Sequence, residues 1–220
     1  MSATSQFVSP TAVAEQVARS RILSAELRPL WEGARLSGPA YTVRCAPGDN
    51  LMLHAAIHRA PAGSVLVVDG GDASHAIAGG NVCAVAHRRG IAGLIVDGAI
   101  RDVQEIRELG FPVFARAIVP KPGVKEVVLP LQEPVTCGGV LVGPGDFVVA
   151  DEEGIVAVPA ADIEDVMEAV DNKARQEAAQ SLDEWAAEHQ AKVDSVLRAA
   201  NSQLASNRNR SALGDPGSAV

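Results

Sequence analysis

The sequence contains few aromatic residues and no long apolar run. Phe, Trp and Tyr make up 3% of its 220 residues, so the core must be built mainly from aliphatic side chains. No apolar run reaches the length that spans a bilayer, and the polar start MSATSQ lacks the charged and then apolar form of a secretory signal. We therefore expect a cytoplasmic protein that makes no contact with a membrane.

Cysteine and positive charge are also scarce. Cys45, Cys83 and Cys137 are odd in number and widely spaced, and none has a second cysteine at the spacing of a zinc site. This pattern predicts reduced, buried thiols rather than a disulfide framework. The net charge is −8 and no basic stripe offsets it. Nucleic acid is therefore not an expected partner, because its binding requires a cationic surface.

The hydrophobic pattern predicts a mixed α/β fold. Apolar runs bounded by turn residues predict strands at 41–45, 64–68, 91–96, 111–114, 134–142, 146–150 and 154–158, with a further strand at 125–129. Helical patterns run over 10–23, 50–60, 103–109 and 160–204, the last with a break near residue 180, and another helix opens at Gly79. The order is β–α alternation, then a β-meander, then a helical end.

The residues suited to chemistry are concentrated between Gly79 and Gly110. Asp97, Arg101 and Asp102 follow a strand that is apolar throughout, and open α/β sheets bind ligands outside the carboxyl ends of such strands. Arginine can hold a carboxylate through two parallel hydrogen bonds. Asp102 has two interpretations. With Glu105 three residues later it resembles a capping box that opens a helix, and its carboxylate could also bind a metal.

Gly79, Gly80 and Asn81 open the preceding helix. Two glycines leave the backbone amides accessible, and the first turn of a helix favours an anion. The glycines could equally form a simple turn. Together with Arg101, however, they form a candidate clamp for a carboxylate.

Two further groups are candidates for metal binding. His54 and His58 have the spacing of a zinc pair, but Ala55 stands where the glutamate of an HExxH motif would be, and no third ligand is indicated. Asp72 follows a predicted strand and is a candidate to line the same site as Arg101 and Asp102.

Three segments carry a family resemblance. They are GIAGLIVDGAIRDVQEIRELGFPVFAR, CAPGDNLMLHAAIHRAPAGSVLVVDGGD and GDFVVADEEGIVAVP. In the order and spacing of these segments the chain resembles the divalent-metal pyruvate aldolases that cleave 4-hydroxy-4-methyl-2-oxoglutarate and 4-carboxy-4-hydroxy-2-oxoadipate. Their superfamily also contains the regulator of ribonuclease E activity. The resemblance extends over about residues 9 to 180.

The resemblance implies a swivelling β/β/α sandwich with an N-terminal helix and a long C-terminal helical extension. It implies a catalytic domain over 1–159, a helical extension over 160–204 that makes subunit contacts, and a disordered tail over 205–220. It also implies trimers or hexamers with active sites between subunits.

The resemblance further implies roles for individual residues. Arg101 would bind the pyruvyl part of a small 2-oxo acid substrate, and Asp102 would bind Mg²⁺ or Mn²⁺ directly. The backbone amides around Gly79, Gly80, Asn81 and Val82 would bind the substrate carboxylate. A glutamate at position 177, from a neighbouring subunit, would complete the outer shell of the metal. The implied reaction is aldol cleavage to pyruvate, with oxaloacetate decarboxylation as a second activity.

One departure from the family pattern concerns position 80. The aldolases often have an acidic residue 21 positions before the arginine, and here that position is Gly80. Asp72 could substitute for it. The regulator branch typically lacks the aspartate that follows the arginine, so the resemblance at Asp102 favours an enzyme over the alternative of a non-enzymatic, protein-binding regulator of ribonuclease activity. A methyltransferase is not supported, because no glycine-rich adenosylmethionine loop follows the first strand.

Overall fold

The computed structural model describes residues 7–212, with side chains as far as residue 201. The strands are β1 (Arg28–Pro29), β2 (Leu36–Arg44), β3 (Val65–Asp69), β4 (Ala76–Ala78), β5 (Gly93–Ile100), β6 (Val113–Ile118), β7 (Val135–Cys137), β8 (Val140–Val142), β9 (Phe147–Asp151) and β10 (Gly154–Val158). The helices are α1 (Pro10–Ala14), α2 (Leu51–Arg59), α3 (Gly80–Arg88), α4 (Val103–Leu109), α5 (Ile163–Ala179) and α6 (Leu182–Ala212).

The main sheet has the strand order β1-β6-β5-β3-β2-β9-β10, and β4 pairs with the end of β5. Strands β2, β3, β5 and β6 run parallel, whereas β1, β9 and β10 join them antiparallel. Strand β2 connects the two kinds of pairing. Its first half, Leu36 to Pro39, pairs with β9, and its second half, Ala40 to Arg44, pairs with β3.

Aliphatic cores cover both faces of this sheet. One core packs α2, α3 and α4 against the parallel strands, and its buried members include Leu53, Cys83 and Ile106. On the opposite face, the β7–β8 hairpin packs against the sheet through Val135, Val142 and their neighbours. These layers of hairpin, sheet and helices confirm the predicted α/β fold class.

The chain divides into two compact units at residue 170. Val166 and Val170 of α5 pack with Val13 of α1 against the outer side of β9 and β10, which places the start of α5 in the first unit. The second unit begins at Asp171. The compact first unit therefore includes the start of the helical segment that follows residue 159, and the catalytic and subunit-contact roles of the two predicted segments stay predictions.

Helix α1 is shorter than predicted, although its start is as expected. Ser9 accepts a hydrogen bond from the backbone N–H of Thr11, and Pro10 is the first helical residue. The helix ends at Ala14, and Ile22 instead forms a β-bridge with Val156. The Arg21 guanidinium donates to the Asp146 carboxylate at 2.9 Å and to two backbone carbonyls. These contacts with distant residues keep the segment after α1 from continuing the α-helix, and it forms only a short 3-10 helix at Arg19–Arg21.

Three strand predictions also required correction. Strand β5 continues past Val96 to Ile100, because β4 and β6 still pair with it there, so Asp97 lies inside the strand. Residues 125–129 form no strand, because Asp49 accepts hydrogen bonds from two of their backbone N–H groups. The segment predicted as one strand over 134–142 forms the two strands of a hairpin, with Gly138 and Gly139 at its turn.

The helical end has the predicted break. Ser181 and Glu184 form a reciprocal cap at the start of α6, in which the Ser181 hydroxyl donates to the Glu184 carboxylate at 2.7 Å. The helix continues to Ala212, so the first part of the segment predicted to be a disordered tail is helical. The rest of that segment, 213–220, lies outside the described residues. None of the described helices is both long enough and apolar enough to cross a membrane.

Candidate active site

The start of α3 is the centre of the candidate site. Gly79 precedes the helix in an extended conformation and offers no side chain to cap it. The first helical hydrogen bond runs from Cys83 N–H to the Gly79 carbonyl. Among the described residues, no acceptor is found for the backbone N–H groups of Asn81 and Val82. The helix therefore presents two unpaired donors and the positive end of its dipole.

Asp102 is bonded to this helix rather than to its own. It precedes α4 in a left-handed conformation, with φ of 59°, and its side chain makes no capping bond to α4. Its Oδ2 instead accepts a hydrogen bond from Gly80 N–H at 3.0 Å. The capping-box interpretation was therefore wrong. A non-glycine residue in this region of backbone space is strained, and such strain is concentrated at functional sites.

Arg101 lies beside Asp102 at the same helix end. Its backbone N–H donates to the Ala78 carbonyl of β4, and its Nε is 3.5 Å from Asp102 Oδ2. Its side chain remains 40% exposed. Its terminal guanidinium nitrogens donate to no group in the described part of the chain, so both remain available for a planar, bidentate contact with an anion.

The two glycines make this arrangement sterically feasible. A Cβ on Gly79 would lie 2.9 Å from Arg101 Cγ and 3.0 Å from Arg101 Nε, and it would also overlap the Asp102 carboxylate. A Cβ on Gly80 would overlap the Glu105 carboxylate, which lies directly against this residue. Each glycine therefore admits one acidic side chain to the start of α3.

Glu105 is the site residue that the sequence analysis missed as a functional group. Its spacing from Asp102 was assigned to helix capping, but its carboxylate reaches across to Gly80. The Glu105 carboxylate occupies the space that the Cβ of an acidic residue at position 80 would fill. The signal was the Asp102-x-x-Glu105 spacing itself, since it places one carboxylate just before α4 and the other on its first turn, beside the start of α3.

The buried thiol of Cys83 lies behind this arrangement. Burial and, to a smaller extent, the negative charge of Asp102 together raise its pKa to about 12. The thiol therefore stays protonated at neutral pH, so Cys83 forms part of the core rather than acting as a nucleophile.

The acidic groups at this site suit a hard cation. Asp102 Oδ1 has no hydrogen-bond donor within the described residues, and the Glu105 carboxylate is close by. No group of three or more His, Cys, Asp or Glu side chains in the described residues could enclose a metal. One or two carboxylates with open coordination positions fit Mg²⁺ or Mn²⁺, which commonly keep several waters. A zinc site at His54 and His58 finds no third ligand among these residues.

Asp72 and Asp97 line a cavity whose lining does not include Arg101 or Asp102. This cavity of about 220 Å³ is lined by Asp69, Gly71, Asp72, Ala73, Asp97, Gly98 and Arg116. Asp97 accepts hydrogen bonds from Arg116 Nε at 2.6 Å and from Gly138 N–H at 2.7 Å. Asp72 Oδ1 accepts from Ser74 N–H and its hydroxyl. The structure therefore does not bring these two aspartates together with Asp102, and a metal-binding role for Asp72 stays a prediction.

Glu177 belongs to the second unit of the chain. Its carboxylate is 3.6 Å from Lys173 Nζ one helical turn away, and its side chain is exposed. Its predicted role concerns a neighbouring subunit and stays a prediction.

The part of the chain that carries this site is similar to known proteins. A model of the RraA-like family, described as Aldolase/RraA, matches residues 11–157, which include Gly79, Arg101 and Asp102. A Halalkalibacterium halodurans protein, provisionally named 4-hydroxy-4-methyl-2-oxoglutarate aldolase, is 40% identical over 152 residues, covering 69% of this chain and 72% of that protein. The 4-hydroxy-4-methyl-2-oxoglutarate aldolase of Thermus thermophilus is 39% identical over 127 residues, covering 57% of this chain and 77% of that protein.

The solved structure of Streptomyces coelicolor RraAS2 has a similar fold. That protein is described as an unusual member of the RNase ES inhibitor RraA family. Its structure matches with a TM-score of 0.68 and 32% identity, covering 78% of this chain and 88% of that one. The family model covers more than half of the sequence, and the curated relatives and the solved structure agree with it. The chain therefore belongs to the RraA-like family, the family of Aldolase/RraA.

Proposed function

We propose that this protein is a divalent-metal-dependent aldolase that cleaves a 4-hydroxy-2-oxo acid to pyruvate. The observation that carries the proposal is the hydrogen bond from Gly80 N–H to Asp102 Oδ2, 3.0 Å long. This bond places a carboxylate, the Arg101 guanidinium and two unpaired backbone N–H groups at one helix start. The names of the curated relatives support the same reaction.

The substrate carboxylate would bind between the start of α3 and Arg101. The N–H groups of Asn81 and Val82 point out of the first turn of the helix, where the dipole favours negative charge. The Arg101 guanidinium would hold the carboxylate and the neighbouring keto oxygen from the other side. This clamp fixes the 2-oxo acid end of the substrate and leaves the bond between C3 and C4 to face the acidic side chains.

Asp102, with Glu105 beside it, would hold Mg²⁺ or Mn²⁺. When bound, the cation would act as a Lewis acid that polarises the keto group of the substrate. The left-handed backbone of Asp102 and its bond to Gly80 orient the carboxylate before the cation arrives, which reduces the ordering that binding requires.

Glu105 would handle the proton in this reaction. Cleavage removes the proton of the 4-hydroxyl group, breaks the bond between C3 and C4, and leaves the electron pair on the pyruvate fragment as an enolate. Glu105 Oε2 would accept the hydroxyl proton and return a proton to C3 to give pyruvate. Oxaloacetate decarboxylation passes through the same enolate, so we propose it as a second activity.

We also propose that the enzyme assembles as trimers or hexamers. The side chains of Arg101, Asp102 and Glu105 are all partly open to solvent in the single chain. A neighbouring subunit could therefore complete the site, and we propose that it contributes Glu177.

The first test is pyruvate release from oxaloacetate and from 4-hydroxy-4-methyl-2-oxoglutarate, with Mg²⁺ and with EDTA. We expect metal-dependent release from both substrates. Removing a residue that hydrogen-bonds to a metal ligand lowers activity by roughly 10- to 100-fold. Asp102→Asn changes the ligand itself, so we expect it to lower the rate of pyruvate release by more than that. It should also weaken Mn²⁺ binding in calorimetry. Glu108→Gln, on the exposed side of the same helix, is the matched control and should behave as the parent.

Parent-like activity of Asp102→Asn, or release that EDTA does not affect, would contradict the proposal. If the parent protein released no pyruvate from either substrate, a protein-binding function would be favoured, as in the ribonuclease inhibitor family to which RraAS2 belongs.

A further inference from the structure

Strand β5 contains a bulge directly before the Arg101–Asp102 pair. Between Val96 and Ala99 the strand advances three residues, while the facing part of β6 advances two. A bulge bends a strand and redirects the residues that follow it, and bulges are common beside active sites. The two residues between Val96 and Ala99 therefore set the direction in which the strand delivers Arg101.

The same bulge is the point at which β5 exchanges one neighbouring strand for another. Up to Asp97 it pairs with β3, and from Ala99 it pairs with β4. Strand β4 ends at Ala78 and leads into the start of α3. The Ala78 carbonyl accepts a hydrogen bond from Arg101 N–H at 3.1 Å. The exchange of neighbours therefore brings the start of α3 beside Arg101.

Asp97 holds this bulge from the face of the sheet that packs against the β7–β8 hairpin. Its Oδ1 accepts from Arg116 Nε of β6 at 2.6 Å, and its Oδ2 accepts from Gly138 N–H in the hairpin turn at 2.7 Å. Its backbone carbonyl accepts from Gly70 N–H, just beyond β3, at 3.0 Å. Only 19% of its side chain is exposed. Asp97 is therefore bonded to β6, to the hairpin and to the end of β3 at once.

Gly98 allows the backbone to pack closely at the same point. A Cβ at this position would lie 3.0 Å from the Asp72 carbonyl oxygen and 3.4 Å from Gly70 Cα. Both of these neighbours are backbone atoms, which yield less readily than the end of a flexible side chain. The bulge is therefore fixed by the Asp97 carboxylate and also by packing of Gly98 against the segment after β3.

We propose that Asp97 is a positioning residue for the candidate active site. Its bonds to Arg116 and to the hairpin turn fix the bulge, and the bulge aims Arg101 and Asp102 at the start of α3. Because both of its carboxylate oxygens are bonded on the hairpin side, Asp97 acts through the backbone that follows it. The effect of Asp97 on turnover rests on the reaction proposed above, whereas its effect on the hydrogen bond between Gly80 and Asp102 does not.

Hydrogen exchange at Gly80 tests this role without an assay of activity. The Gly80 N–H is bonded to Asp102 Oδ2, so its exchange reports whether Asp102 is in place. Asp97→Asn sets an amide NH₂ group against one of two donors, Arg116 Nε–H or Gly138 N–H, in either orientation of the amide. We expect the Gly80 N–H to exchange about tenfold faster in this variant, as the loss of one hydrogen bond implies.

Asp146→Asn is the matched control. Asp146 likewise accepts from an arginine, Arg21, at 2.9 Å and from two backbone N–H groups, and its side chain is 12% exposed. Loss of stability alone would speed exchange at Gly80 in both variants alike, whereas loss of positioning would do so only in Asp97→Asn. Parent-like exchange in Asp97→Asn, or equal acceleration in the two variants, would overturn the proposal.

Gly98→Ala tests the bulge by a second route, in case Asp97→Asn does not fold. This variant keeps both bonds of the Asp97 carboxylate, and its new Cβ displaces the bulge by meeting the Asp72 carbonyl. We expect faster exchange at Gly80 here as well. Unchanged exchange in Gly98→Ala would show that the bulge does not set the position of Asp102, which would also overturn the proposal.

Pyruvate release separates the role of Asp97 from the reaction itself. If the parent is active, Asp97→Asn should lose at least about tenfold in kcat/KM, because a small displacement of Arg101 and Asp102 slows the reaction. Asp146→Asn should keep the parent value, and a parent value in Asp97→Asn would overturn its positioning role. A parent that releases no pyruvate would contradict the proposed function, and exchange at Gly80 would still decide whether Asp97 positions Asp102.

Discussion

At the scale of single residues, Asp49 is a buried carboxylate that holds a loop in place. It is 1% exposed, and its Oδ1 accepts from Leu51 N–H at 2.8 Å. Its Oδ2 accepts from Glu126 N–H at 2.6 Å and Val127 N–H at 3.1 Å. Burial by itself would raise its pKa, but these three donors and the charge of Lys125 outweigh that effect, so the pKa is lowered.

We expect Asp49→Asn to lower the free energy of unfolding by about 2 to 3 kcal/mol at pH 7, because an amide cannot replace the charged acceptor. The folded pKa lies below the unfolded value of about 3.9, so the carboxylate stabilises the fold above that pH. This contribution is lost as the pH falls from the unfolded pKa through the folded one. Urea unfolding should therefore show a difference between parent and variant that shrinks below about pH 4.

Glu126→Gln, at an exposed position in the same loop, is the control for this measurement. It should unfold as the parent does both at pH 7 and at pH 3. A difference between parent and Asp49→Asn that stayed constant down to pH 3 would show that the charge of Asp49 contributes nothing.

At the scale of elements, the site depends on how closely α3 and α4 approach each other. The position of α3 could be predicted, because its glycine start and apolar face are local signals. The position of Asp102 relative to α3 could not be predicted, because its hydrogen-bond partner, Gly80, is 22 residues away in sequence. The local pattern instead favoured capping of α4. The role of Glu105 was missed for the same reason.

Alanine substitutions at Gly79 and Gly80 should separate the contributions that Asp102 and Glu105 make to pyruvate release. Gly79→Ala would displace Arg101 and Asp102 together, so we expect pyruvate release to fall by at least about tenfold. The nearest atoms to the new Cβ in Gly80→Ala all belong to Glu105, whose carboxylate would overlap it and whose Cβ would lie 3.1 Å away, so the loss should be smaller and fall on kcat. Gly79 has φ of −148°, which alanine adopts readily, so thermal unfolding should change little.

Arg88→Ala, at the opposite end of α3, is the matched control and should keep the parent rate. A Gly79→Ala variant with parent kinetics would mean that the contact between α3 and Asp102 has no role in turnover.

At the scale of the whole molecule, the aliphatic core encloses all three cysteines. Cys45, Cys83 and Cys137 are free and buried. Burial raises the pKa of Cys45 to about 11 and that of Cys83 to about 12, and it also raises the pKa of Cys137. The structure therefore confirms the prediction of reduced, buried thiols.

The thiols should resist a thiol reagent as long as the fold is intact. At pH 8 we expect no rapid reaction with DTNB in the native protein, because attack requires an exposed thiolate. In guanidinium chloride all three thiols of the chain should react. Rapid release of one equivalent from the native protein would instead reveal local opening of the core around one of them.

The sequence alone determined the α/β class, the helices α2, α3 and α4, the break between α5 and α6, and the stretch that carries Arg101 and Asp102. These features follow from periodicity, capping residues and turn residues, which act over a few positions. The tertiary structure decided the extension of β5, the early end of α1, and the contacts of Asp102 and Glu105 with the start of α3. Each of these depends on groups far apart in sequence, where packing and hydrogen bonding outweigh local preference.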